Sequence, residues 1–115
     1  MEADEPWQQG NIEAPAMVRA AGGGWWLFYS GSSWRSSTYA TGLAWCPTIT
    51  GPCRETLDHP FLGTTANART PGGLETFRDS RGAEWVAFTS TVLEPSRWRH
   101  HHHYLNRVLD IAPLR

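Results

Sequence analysis

MVRAAGGGWWLFYSG, residues 17–31, reads as an apolar run, a glycine turn and an aromatic run. Ala21-Gly22-Gly23-Gly24 between two such runs is a hairpin signal. Successive strand residues point to opposite faces, so Trp25, Leu27 and Tyr29 face one way and Trp26 and Phe28 the other. Both faces are apolar, which places this strand centrally in a sheet or between packed sheets. YATGLAWC, residues 39–46, reads as a third strand, and Thr50-Gly51-Pro52 turns the chain toward a short fourth.

The pattern then recurs. TFRDSRGAEWVAFTS, residues 76–90, overlays residues 17–31 at an offset of about 59. Val18 meets Phe77, Arg19 meets Arg78, Gly23 meets Gly82, Trp26 meets Trp85 and Ser30 meets Thr89. YLNRVLDIAP, from Tyr104 to Pro113, supplies a third strand for the second copy. Repeated strand, turn and aromatic strand point to propeller blades, and no segment of useful length has a helical period. The expected fold is all-β: a partial β-propeller of about two blades of antiparallel strands. A polar lead-in spans residues 1–10 and the domain residues 11–115, with blade-like repeats at about 12–57 and 72–113. No fourth strand follows the second copy, which predicts a bare sheet edge of the sort that pairing usually covers.

At 115 residues this is one domain at most, and its formal net charge of −1 gives no footprint for nucleic acid or an anionic membrane surface. No apolar run approaches the ~20 residues that a membrane helix needs. The start, MEADEPWQQG, is unlike a secretory signal, so the chain as written is cytoplasmic, or secreted if it is a piece of an exported protein. Cys46 and Cys53 either bridge a hairpin or stand as two separate thiols, and their spacing matches no zinc pattern. Seven tryptophans suit a packed aromatic core or a surface that stacks on flat ligand faces, sugar rings included.

NIEAPAMV, residues 11–18, sets Glu13 within an apolar run beside Pro15. A glycosidic oxygen leaves only with a proton, which a partly buried glutamic acid supplies near neutral pH. Ile12, Ala14, Pro15 and Ala16 are the flanks expected to bury it, with Pro15 fixing the strand start. IEAP, WWLFYSG, TGLAWCPTITGP and NRVLDIAPLR, in this order, resemble glycoside hydrolase family 43 over about residues 7–115. That family consists of five-bladed β-propeller enzymes acting on arabinose- and xylose-containing polysaccharides, and the match covers its C-terminal half. The resemblance implies an inverting hydrolase with Glu13 as general acid, and Arg107 as the last-blade arginine that contacts sugar or acid, while the residues alone equally allow Arg107 to be a strand arginine stacked on an aromatic. It also implies that the general base and an auxiliary aspartate lie on blades absent from these residues, so the chain reads as a truncated fragment. TPGG, residues 70–73, stands where the family often has GPGH, and another family histidine falls near Thr89.

Other carboxylates offer poor substitutes for the base. Asp79 suits turn chemistry, Glu75 a solvated strand edge, and Asp110 a pairing with arginine. Trp34, Tyr39 and Trp98 join Arg107 as candidate sugar-binding residues, with Trp25 and Trp26 as further stacking candidates. In a strand His100-His101-His102-His103 would alternate faces, so at most two would converge on one ion, and an exposed connection after PSRWR is the favoured reading. No metal or other cofactor is expected; some arabinan-cleaving relatives hold calcium, but no acidic cage for it is visible here. The expected partner is an arabinan- or xylan-type oligo- or polysaccharide, completed by missing N-terminal blades or by a homo-oligomer. The alternative is a non-catalytic carbohydrate-binding propeller fragment that acts as a symmetric oligomer.

Overall fold

The computed structural model describes residues 1–93 and 105–114. Among the described residues seven strands build two antiparallel sheets. The first joins β1 (Ile12–Arg19), β2 (Trp25–Gly31), β3 (Ala40–Cys46) and β4 (Arg54–Glu55) in that order. The second joins β5 (Arg69–Arg78), β6 (Glu84–Leu93) and β7 (Leu105–Pro113). The aromatic strand β2 is central, as its two apolar faces require. Phe28 enters the core between the sheets with Ala68, Leu74, Val86 and Phe88, flanked by Trp26 and Leu43. Each of the buried Phe, Leu and Val side chains contributes about 1.5–3 kcal/mol. Among the described residues β7 is an edge of its sheet.

The two hairpins share one geometry at the offset of 59. Val18 pairs with Trp26 and Phe77 with Trp85; Ala16 pairs with Phe28 and Glu75 with Ala87. The turns match bond for bond. Gly23 N–H donates to Ala20 O and Ala20 N–H to Gly24 O, while Gly82 N–H donates to Asp79 O and Asp79 N–H to Ala83 O. Gly23 and Gly82 hold φ of 101° and 79°, a region that side-chain-bearing residues rarely adopt. Both first strands also break register at one equivalent place, between Glu13 and Ala16 and between Gly72 and Glu75, and β5 has a second break between Arg69 and Gly72. Position 13 of the first copy therefore corresponds to position 72 of the second.

The polar lead-in is packed onto the sheet. Pro6–Gln8 forms a 3-10 turn that seals the outer face of the first sheet, where Trp7 stacks on Tyr29 with ring centroids 6.0 Å apart. Gln8 is wholly buried and donates through Nε2 to Tyr29 Oη and Glu55 Oε1, each at 2.8 Å. Burial, followed by the Glu55 carboxylate, raises the Tyr29 pKa well beyond the ordinary phenol range. Cys46 and Cys53 are joined in a disulfide with Cα atoms 4.2 Å apart, which ties the end of β3 to the residue before β4.

Candidate active site

Glu13 owes its placement to an irregularity at the start of β1. It pairs with Ser30, and the ladder resumes only at Ala16 opposite Phe28, leaving Ala14 and Pro15 in a bulge. Pro15 has no N–H to give the ladder. Ala14 takes φ of 51°, a left-handed conformation that costs an alanine about 1–2 kcal/mol. Bulges re-aim the side chains beside them. Pairing places Glu13 on one face with Ser30 and Thr41, and that face meets the second sheet. There Ser30 Oγ accepts the Gly73 N–H at 2.8 Å, and Thr41 Oγ1 donates to Pro71 O at 3.3 Å.

The expected burial of Glu13 by its apolar flanks is not what the bulge produces. Ala14 and Pro15 are turned outward with Glu13, and all three are exposed. What holds the carboxylate is a tyrosine. Tyr39 Oη donates to Glu13 Oε1 at 3.0 Å, while Oε2 has no partner among the described residues. The Tyr39 ring is buried against β5, where a Cβ on Gly72 would overlap its Cε1. Burial pushes the Tyr39 phenol above its usual pKa, Glu13 adds to the rise, and a hydrogen bond with Ser30 and the charge of Arg107 oppose it. The phenol therefore remains a proton donor to Glu13.

Arg107 completes the array from β7. Its guanidinium carbon lies 5.3 Å from the Tyr39 ring centroid. Nε donates to Thr89 Oγ1 at 3.1 Å. Nη1 donates to Thr70 O and Thr91 Oγ1 at 3.1 and 2.9 Å, and Nη2 to Thr89 O and Oγ1 at 2.8 and 2.7 Å. A guanidinium fork has five N–H donors, and this one spends them on strand carbonyls and threonine hydroxyls. Desolvation lowers the Arg107 pKa while Tyr39 and Asp110 raise it. Its visible work is to hold β5, β6 and the Tyr39 ring together.

Trp34 is 47% exposed, with the Arg35 guanidinium 4.8 Å from its ring centroid. It borders a cavity of about 250 Å³ whose wall includes Thr70 and Thr91, two residues bonded to Arg107. Trp25 lies under Arg19 on the first sheet, and Trp26 packs against the core. Trp98 and His100 to His103 lie outside the described residues. The carboxylates weighed as a second catalytic group are placed elsewhere. Asp79 accepts from the N–H groups of Arg81 and Ala83 and from the Trp85 indole. Asp110 accepts from Ser90 Oγ, and Glu75 is exposed opposite Ala87. Among the described residues no three His, Cys, Asp or Glu converge as a metal site. The sequence reading marked Thr70 and Thr89 only as standing near family histidine positions and did not foresee that they hold Arg107 with Thr91, although Thr89 and Thr91, two apart on β6, share a face.

Two antiparallel sheets that repeat one bulged hairpin, with a carboxylate presented at the bulge, define a partial β-propeller. The whole chain is similar to a thermostable family-43 glycoside hydrolase, with a TM-score of 0.81 and 19% identity over 100% of this chain and 37% of that one. It is also similar to an endo-1,4-beta-xylanase from Bacteroides thetaiotaomicron, with a TM-score of 0.70 and 16% identity over 96% of this chain and 43% of that one. The chain thus spans less than half the length of either structure. No protein-family model and no curated protein matches the sequence.

Proposed function

We propose that this chain is a glycoside hydrolase-like unit acting on arabinose- or xylose-containing polysaccharide, with Glu13 as general acid. The observation that carries this reading is the posture of Glu13. One oxygen is anchored by Tyr39, and the other is unpartnered among the described residues, at a bulge on an exposed strand start. On this reading Oε2 delivers its proton to the glycosidic oxygen as the bond to the anomeric carbon breaks. Water attacks that carbon from the opposite face, and a second carboxylate takes its proton. For inversion the two carboxylates stand about 6.5–9.5 Å apart. Among the described residues Asp79 and Asp110 are engaged by other partners and Glu75 is exposed opposite Ala87, and on this reading the base belongs to a further blade-like unit. Trp34 is the stacking surface, and Tyr39 and Arg107 serve the substrate indirectly, by fixing Glu13.

The test is release of reducing sugar from arabinan and xylan by the intact chain, with formate added as an external base. Weak release that falls about 100-fold or more in Glu13→Gln is expected, the usual loss for a general acid. Release that is unchanged in Glu13→Gln would refute the assignment. The same missing partner favours a second reading, a carbohydrate-binding unit without catalysis. Retention of polysaccharide on an affinity gel, with no sugar released with or without formate, would establish that reading instead.

A further inference from the structure

The cavity beside Trp34 carries more cationic chemistry than a neutral pentose requires. Arg35 and Arg69 both line it, and among the described residues neither guanidinium makes an ion pair or a side-chain hydrogen bond. No carboxylate contributes to its described wall, which is completed by hydroxyls such as those of Ser37 and Thr91. Unpaired arginines are forks suited to a planar carboxylate, which they grip through charge-assisted hydrogen bonds. Trp34 presents an aromatic surface at the same rim, and stacking on such a surface suits the apolar face of a sugar ring. At about 250 Å³ the space suits one substituted sugar ring rather than a polymer.

We propose that this cavity is a subsite for a sugar bearing a carboxylate, a uronic acid unit, with Arg35 and Arg69 on the carboxylate and Trp34 against the ring. The subsite deepens the polysaccharide reading above and rests on it. Thr70 and Thr91 stand in the cavity wall and also bond to Arg107, which packs on Tyr39. A uronate side group held here therefore lies next to the array that orients Glu13. The charge of the side group, rather than the neutral backbone sugar, sets the preference.

The experiment is calorimetric titration of the intact chain with a glucuronic-acid-branched xylo-oligosaccharide and with the same compound as its methyl ester. The free acid is expected to bind about tenfold or more tightly than the ester, the scale of a charge-assisted hydrogen bond. Added salt should shrink the difference, and it should approach unity in Arg35→Gln and Arg69→Gln. Circular dichroism checks that the variants fold, and the acid-to-ester ratio of the unaltered chain needs no variant. Equal binding of acid and ester, no binding of either, or a preference that survives both substitutions would overturn the subsite. Inorganic sulfate competing as well as the free acid would overturn it too, by showing an anion hole without sugar recognition. Cleavage separates the two readings. Glu13-dependent release with no charge preference removes only the subsite, whereas a charge preference with no Glu13-dependent release keeps the subsite and removes the hydrolase.

Discussion

Replacing Arg107 with lysine keeps the positive charge but removes the fork, and this separates a structural clamp from a sugar ligand. The guanidinium serves the carbonyls of Thr70 and Thr89 and the hydroxyls of Thr89 and Thr91, while lying against the Tyr39 ring. A lysine ammonium has its three donors at a single point and cannot span acceptors on β5 and β6 together. At least one strand carbonyl is then left half-buried without a partner, at a cost of about 1–3 kcal/mol. A loss of about 2 kcal/mol should lower the thermal midpoint of a domain this size by about 10 °C. Urea titration followed by tryptophan fluorescence should show a lower midpoint at an unchanged slope. A variant within about 0.5 kcal/mol of the parent, the range of ordinary surface changes, would refute the clamp and return Arg107 to the role of a sugar contact.

Reduction of the Cys46–Cys53 bridge, seven residues apart, should cost about 2.5 kcal/mol by the chain-entropy relation for a short loop. Urea midpoints that coincide with and without reductant would argue against a bridged native state. Asp79 gives a pH dependence. The Trp85 indole first, then the Arg81 and Ala83 N–H groups, favour its carboxylate and hold its pKa below the ordinary value. A native pKa below the unfolded one means stability that is present above about pH 3.9 and lost as pH falls further. The urea midpoint of the parent should fall more steeply than that of Asp79→Asn between about pH 4 and 2.5; parallel curves would contradict this.

Much of the architecture was legible in the residues. Alternation in WWLFYSG placed β2 centrally, because only a strand covered on both sides keeps Trp26 and Phe28 opposite Leu27 and Tyr29. The repeat was legible because turn and flanking aromatics keep one spacing in both copies. The bulge at Ala14 was not, since an alanine with positive φ leaves no mark in composition and tertiary packing alone selects it. The polar lead-in was misleading for a related reason. Gln8 is hydrophilic by type but is sealed in by Tyr29 and Glu55, partners that are 21 and 47 residues away. Arg107 was singled out in the sequence as a candidate sugar contact. What its donors touch depended on how threonines from two other strands converge, which no local pattern encodes.

Tyr39 makes the two copies unequal. Its hydroxyl reaches position 13 of the first hairpin, and its ring occupies the room above position 72, the corresponding place in the second. One repeat carries a carboxylate, and the other gives up its side chain to seat the residue that steers that carboxylate. The duplicated scaffold has thereby divided its labour. A chain rebuilt from two identical hairpins would forfeit either the carboxylate or the seat of the tyrosine that holds it. Symmetry in the backbone is tolerated here, and the Glu13–Tyr39 pair rests on breaking it at a single pair of positions.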